Sequence, residues 1–245
     1  MLQYDVEPAE LAETYAASHE RFWDRLARPG TWLTAAERVA VVEEARAARN
    51  CEACARRRAA LSPEVDVGEH AWATDLPLPW REVIHRIATD PGRLSSAWFE
   101  RSVGKDLSHE QYVEILATLV HAGVVDLFCL GIGVDEHPLP APQAGEPSRH
   151  RPAQIVHDEA WVPWIPSEGA VGDEADLWKP AQTANVIRAM SLVPDEVRTL
   201  SDTIEVHYLS IGEIIDPRAS GDRVLSRAQM ELLASRTSAL NQCFY

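Results

Sequence analysis

The sequence is short of positive charge. Lys and Arg total 23 against 38 Asp and Glu, a formal net charge of −15 over 245 residues. Phosphate recognition needs clustered cationic side chains, so neither nucleic acid nor an anionic membrane is an expected partner. The one basic cluster, Arg56-Arg57-Arg58, is too short to reverse that balance. An uncharged run long enough to cross a bilayer is also missing. The longest apolar stretch, Tyr112 to Val134, holds Glu114, His121 and Asp126, which are costly in lipid, so it predicts a buried helix. Met1 to Glu13 is acidic and lacks the apolar core of a secretion signal, which points to a soluble cytosolic protein. Four cysteines are too few for a disulfide framework in a chain this long. No segment alternates like a strand between hairpin turns, and Gly131-Ile-Gly133 lacks the preceding strand that a nucleotide loop requires.

What remains is helical. Ala9 to Ala27 reads as an amphipathic helix with Leu11, Tyr15, Phe22 and Leu26 on its apolar face, stopped by Pro29-Gly30. Thr34-Ala-Ala-Glu37 is a capping box, and helical periodicity follows it to about Leu61. Further helices are predicted at 79–89, 94–103 and 108–130, the last opened by the box Ser108-x-x-Gln111. Helices resume at 181–190, 195–211 and from Ser226 onward. Between 138 and 180 proline recurs at 138, 140, 142, 147, 152, 163, 166 and 180, and periodicity vanishes. Trp161, Trp164 and Trp178 in that stretch predict that it packs into a groove. The expected organisation is all-α, with a first helical unit at 1–137, a proline-rich arm at 138–180 and a second helical unit at 181–245.

The two units repeat a signal. Leu33-Thr34-Ala-Ala-Glu37 matches Leu225-Ser226-Arg-Ala-Gln229, and Thr34 and Ser226 each stand 17 residues before a cysteine, Cys51 and Cys243. The first copy continues Cys51-Glu-Ala-Cys54, whereas the second ends at Tyr245, one residue before the equivalent of Cys54.

Two cysteines three apart can close a disulfide, one resolving an intermediate formed on the other. The attacking sulfur must be thiolate, and a helix N-terminus favours that form only within its first turn. In an unbroken helix from Thr34, Cys51 would lie about 25 Å from the start. Redox function therefore requires the helix to break near Arg49-Asn50, and near Asn241-Gln242 in the second copy, with Asn50 a favoured N-cap. Zinc, the rival use of Cys-x-x-Cys, needs two more ligands. Cys129 and Cys243 stand alone and the nine histidines are scattered, so neither a metal nor another cofactor is expected. His121 is expected to be a hydrogen-bonded core histidine, Cys129 a small packed residue, and Glu114 with Asp126 a polar seam between helices or subunits.

Around these residues the chain resembles the alkylhydroperoxidase D-like branch of the carboxymuconolactone decarboxylase superfamily. That family's motif is Glu, then a Cys-x-x-Cys pair beginning twelve residues later, then His four residues beyond the second cysteine. Glu231 precedes Cys243 by twelve residues, and Gln229-Met-Glu231-Leu-Leu-Ala with Ala239-Leu-Asn-Gln-Cys243-Phe-Tyr is similar to the motif. Asn185-Val-Ile-Arg-Ala-Met-Ser-Leu-Val-Pro194 resembles the segment ahead of it in peroxidase-related members. Tyr112-Val-Glu-Ile-Leu-Ala with Val125-Asp-Leu-Phe128 resembles the long helix that follows. The likeness spans most of 31–135 and 181–245.

The resemblance implies tandem helical units, the second incomplete, and a thiol- or selenol-dependent peroxide reductase or disulfide oxidoreductase. Its substrate would be a peroxide or disulfide, its reductant a thiol or lipoyl group, and its assembly a homo-oligomer. Cys243 and Glu231 would carry the better site, with Glu231 a general base whose pKa is raised by burial among Met230, Leu232 and Leu233. Cys51 and Cys54 would form a second, degenerate site, because Val39 and Arg58 stand where the family has Glu and His. Some relatives carry selenocysteine at the position just past Tyr245, so the end of this sequence is expected to mark such a codon. Glu43 or Glu44 could substitute for the missing Glu, but the sequence gives no reason to prefer that over a solvated helix face. Two alternatives stay open: a lyase of the decarboxylase type, which needs no cysteine pair, and a redox-inactive binding protein.

Overall fold

The structure, a computed structural model, describes residues 2–5, 9–178, 184–210, 213, 214, 216, 218, 224–241 and 243. The fold is all-α. Among the described residues nine bounded α-helices run in order: α1 Ala9–Leu26, α2 Ala35–Arg49, α3 Glu52–Ala59, α4 Leu78–Thr89, α5 Ser96–Ser102, α6 His109–Ile132, α7 Asn185–Arg188, α8 Pro194–His207 and α9 Arg227–Leu240. Among the described residues the sole β feature is an isolated bridge between Val156 and Trp164.

The local signals set the helix ends. Thr34, Ser108 and Ser226 each accept the N3 amide, and Glu37, Gln111 and Gln229 return the bond to the cap backbone. α6 closes on Gly133 in the left-handed region at φ 74°. α1 buries Phe22 and Leu26 as expected, with Tyr15 half-buried; the side chain of Leu11 lies outside the described part.

α6 forms the centre of the molecule and packs against α2, α8, α4 and α1. It is long and apolar enough to cross a membrane, yet Glu114, His121 and Asp126 on it are buried against these neighbours. Its acids form a seam with other helices. Arg46 and Arg49 grip Asp126 at 2.7 and 2.6 Å, while Glu114 accepts the Trp32 amide at 2.6 Å and faces the Arg38 guanidinium at 3.7 Å. Burial and neighbouring Glu196 push Glu114 up to about 7, against the pull of Arg38. His121 departs from expectation. It is buried, but neither ring nitrogen makes a hydrogen bond, and Nδ1 lies 3.5 Å from Glu196.

The main core joins Leu33 and Val41 of the α2 region, Trp80, Val83 and Ile84 of α4, and Ile115 of α6 to Val162, Ile165, Leu177, Leu192 and Val197. The proline-rich stretch thus contributes to the core. Trp164 is buried beneath the Arg188 guanidinium, 3.8 Å from the ring centroid, and Trp178 is half-buried with Nε1 donating to the Pro166 carbonyl. Trp161 stays largely exposed but reaches the Phe99 ring.

Candidate functional site

The helix opened by Thr34 does break where redox chemistry required it. α2 stops at Arg49, and Asn50 (φ −104°, ψ 5°) closes it by donating its amide to Ala47. Asn50 is therefore a C-cap, not the expected N-cap. Cys51 itself takes the extended N-cap conformation of α3 (φ −75°, ψ 118°), and Cys54 sits in that helix's first turn. The break has a local cause: Asn tolerates the helix-terminating geometry, and the new helix starts with Glu52 at its positive end.

Both thiols are free and buried, Cys51 2% exposed and Cys54 1%. Their surroundings are polar. Cys51 Sγ lies 3.4 Å from His70 Nδ1, and Cys54 Sγ lies 3.4 Å from the same nitrogen and 3.2 Å from His85 Nδ1. Arg57, one turn after Cys54, donates to its sulfur at 3.3 Å. His85 Nε2 in turn meets Glu44 Oε1 at 2.9 Å. Glu44 also accepts the amides of Ala73 and Thr74 and the Thr74 hydroxyl.

Of the two readings open for Glu44 the solvated face is not the one found, since its side chain is fully buried. Burial would raise its pKa, but bonds from Thr74, His85 and Ala73 outweigh that and hold it low. As an ionised carboxylate it can only accept, so the His85 proton sits on Nε2 and Nδ1 presents a lone pair to Cys54. Burial lowers His85 against the pull of Glu44, and burial with the charges of His85, Arg57 and Arg56 takes His70 down to about 4. Burial would raise Cys51, but hydrogen bonds from the amides of Cys54 and Ala71, the Cys54 side chain and the Ala53 amide draw it below the usual thiol range. Burial pushes Cys54 up, only partly offset by Thr89 and Arg57.

Three elements supply this constellation: the α2–α3 break, α4 through His85, and the irregular segment between α3 and α4 through His70. That segment is tied down by Arg56 on the Val67 carbonyl and by Glu44 on Ala73 and Thr74. Trp72 stacks on His70 at 4.9 Å and meets His85 edge-on. The expectation that the histidines stay scattered fails here. One ligand atom each from Cys51, Cys54, His70 and His85 lie within 4.8 Å of one another, so this set can hold a metal ion.

The other expected site residues lie elsewhere. Cys243 is exposed beyond α9, whose last residue Leu240 and cap Asn241 line a cleft with Arg58, Thr89 and Asp90–Arg93. Gln242, Phe244 and Tyr245 fall outside the described residues, so the second expected helix break is seen only up to Asn241, which closes α9 at φ −88°, ψ 5°. Glu231 is not a buried base. Its side chain is 43% exposed and pairs with Arg227 at 2.5 Å, and bonds from Tyr208 and Arg227 lower its pKa. The leucines expected to bury it, Leu232 and Leu233, face solvent.

Sequence reasoning missed His70 and His85 and left Glu44 undecided. Glu44 had a signal: it stands seven residues before Cys51, two turns back along the same helical face. His85 sits in a helix with buried neighbours Val83, Ile84 and Ile87, where a histidine needs a polar partner. His70 had none, because an irregular segment carries no periodicity. No protein-family model matches the chain, and neither a curated protein nor a solved structure similar to it was found.

Proposed function

We propose that Cys51 and Cys54 are a redox-active pair, and that the protein is a thiol-dependent peroxide reductase or disulfide oxidoreductase of the alkylhydroperoxidase-like type. The observation that carries this reading is the Glu44–His85–Cys54 chain of contacts beside a cysteine at the mouth of a new helix. In the resembling family Glu and His serve a cysteine pair from the motif itself. Here Val39 and Arg58 occupy those motif positions, and Glu44 and His85 supply the same chemical types from α2 and α4.

The chemistry follows from the geometry. Cys51 thiolate, facing the amides of the first turn, attacks the outer oxygen of a peroxide. The O–O bond breaks, the leaving oxygen departs as an alcohol or water by taking one proton from solvent, and sulfur becomes sulfenic acid. Cys54 then attacks that sulfur; its proton passes to His85 Nδ1, Glu44 stabilises the resulting imidazolium, and the imidazolium returns the proton to the departing hydroxide so that water leaves as the disulfide forms. A dithiol such as dihydrolipoamide returns two electrons and two protons by exchange. With a disulfide substrate, the same thiolate attacks sulfur in place of oxygen.

The test is direct. Chelator-treated, reduced protein is exposed to one equivalent of hydrogen peroxide or of oxidised lipoamide, and free thiols and intact mass are measured. Loss of two thiols, with a Cys51–Cys54 disulfide in the peptide map and turnover on added dihydrolipoamide, is the expected result. Unchanged thiols with both oxidants would overturn the reading. A carbon–carbon lyase activity that survives Cys51→Ser and Cys54→Ser together would replace it.

A further inference from the structure

The redox reading uses one proton path through this site and leaves His70 without a role. Yet His70 Nδ1 is equidistant from both sulfurs, at 3.4 Å from each. With the His85 proton held on Nε2 by Glu44, four atoms rich in lone pairs crowd together: two sulfurs and two Nδ1 atoms. Thiol protons can bridge some of these contacts. A cation satisfies all of them at once.

The separations match one coordination geometry. Zinc–sulfur bonds of about 2.3 Å and zinc–nitrogen bonds of about 2.0 Å at tetrahedral angles put S and N about 3.5 Å apart. Three of the four sulfur–nitrogen separations here are 3.4, 3.4 and 3.2 Å, and all four ligand atoms lie within 4.8 Å of one another. The surroundings also suit a metal. Glu44 on His85 Nε2 fixes the tautomer and orientation of a ligating imidazole, and Arg57 donates to the Cys54 sulfur. Two thiolates and two neutral imidazoles balance the charge of a dication, and four protein ligands in tetrahedral array favour zinc. The segment between α3 and α4 has no helix or strand of its own, and an ion on His70 would tether it to both flanking helices.

We infer that Cys51, Cys54, His70 and His85 bind one zinc ion in the reduced protein, and that zinc and the Cys51–Cys54 disulfide exclude each other. The binding half stands on the ligand geometry alone; the exclusion half rests on the redox reading. When the pair gives two electrons to a peroxide, the sulfurs bond to each other and cease to be thiolate ligands. Zinc leaves as Zn²⁺ with its oxidation state unchanged.

The deciding experiment is an anaerobic titration of the reduced, full-length chain with Co²⁺, followed by Zn²⁺ displacement. One Co²⁺ per chain is expected, with the intense visible bands of a tetrahedral site and a thiolate-to-cobalt charge-transfer band. The signal should vanish in Cys54→Ser. It should weaken in affinity by at least about tenfold in His70→Asn, a half-buried position where helical circular dichroism verifies the fold, and by about 10- to 100-fold in Glu44→Gln. Only weak octahedral bands, or full affinity in His70→Asn and Cys54→Ser, would overturn the site. Peroxide added to the loaded protein should release zinc in step with thiol loss; disulfide formation with zinc retained would overturn the exclusion. The two readings fail separately: no cobalt signal with normal thiol oxidation removes only the zinc site, whereas tetrahedral cobalt with inert thiols removes the redox site and leaves a structural metal.

Discussion

α2 and α9 begin alike and end alike, yet only one builds a site. Each opens on a reciprocal capping box and each closes on Asn with ψ 5° shortly before a cysteine. α2 buries Ala35, Arg38, Val41, Val42, Glu44 and Ala48, while α9 buries Met230 alone. Cys51 accordingly enters a pocket of histidines, and Cys243 stays exposed. The difference teaches that a repeated local signal specifies a helix and its ends, but reactive surroundings come from what packs on it. Glu44 and Glu231 make the point within one residue type. The first is ionised and held on His85 in the interior, the second is paired with Arg227 at the surface.

The largest expected contrast is chemical. Cys51→Ser should reduce peroxide-dependent thiol turnover by on the order of 10³-fold, as removal of a nucleophile does, whereas Cys243→Ser should leave it unchanged. Equal losses in a peroxide-consumption assay would dissolve the comparison and move the site to the second copy. Packing comes next. Leu33→Ala, just ahead of the α2 cap and fully buried, should cost about 2–5 kcal/mol by denaturant unfolding. Leu232→Ala on exposed α9 should change stability by less than about 0.5 kcal/mol.

Acid should sharpen the same divide. His19 of α1 is buried against Tyr4 and donates to or accepts from His207 of α8 at 2.7 Å. Burial, then the His207 and His137 charges, take His19 down to about 3, and burial takes His207 to about 4. The unfolded chain therefore binds these protons first, near pH 6.5. Stability is present above that pH and is lost as pH falls towards 4, by about 2 kcal/mol for His19 at pH 5 and less for half-buried His207. His207 and Tyr15 also line one groove together with Met230 and Leu233 of α9, so hydrogen exchange should show α9 opening before α2 as pH drops. Uniform loss of protection would contradict this order. The smallest effect is at the caps: Thr34→Ala should cost about 1 kcal/mol of global stability, whereas Ser226→Ala should fray α9 and shift the global value by less than about 0.5 kcal/mol. Matched thermal melts of the two variants check it.

Much of the scaffold was readable because its causes are short-ranged. The three capping boxes, the stop after Leu26, the proline-poor span of α6 and the break at Asn50 each depend on a few neighbouring residues. The site was readable only in part. Cys51 and Cys54 announce themselves by spacing, and Glu44 by its phase on α2, but His70 and His85 lie 16 and 31 residues beyond Cys54 with no shared period. Glu231 was misread because Leu232 and Leu233 imply burial only if a partner covers them.

By itself, then, the sequence determined an all-α chain, where its helices start and stop, and that one cysteine pair would open a helix. Hydrogen bonds and dihedral preferences within one or two turns suffice for that. Tertiary structure decided which of two similar helices entered the core, and that Glu44, His70 and His85 would meet those sulfurs. Such convergence requires α4 to pack on α2 and α3, so that long-range burial repays closing the intervening segment, a balance that no local pattern encodes.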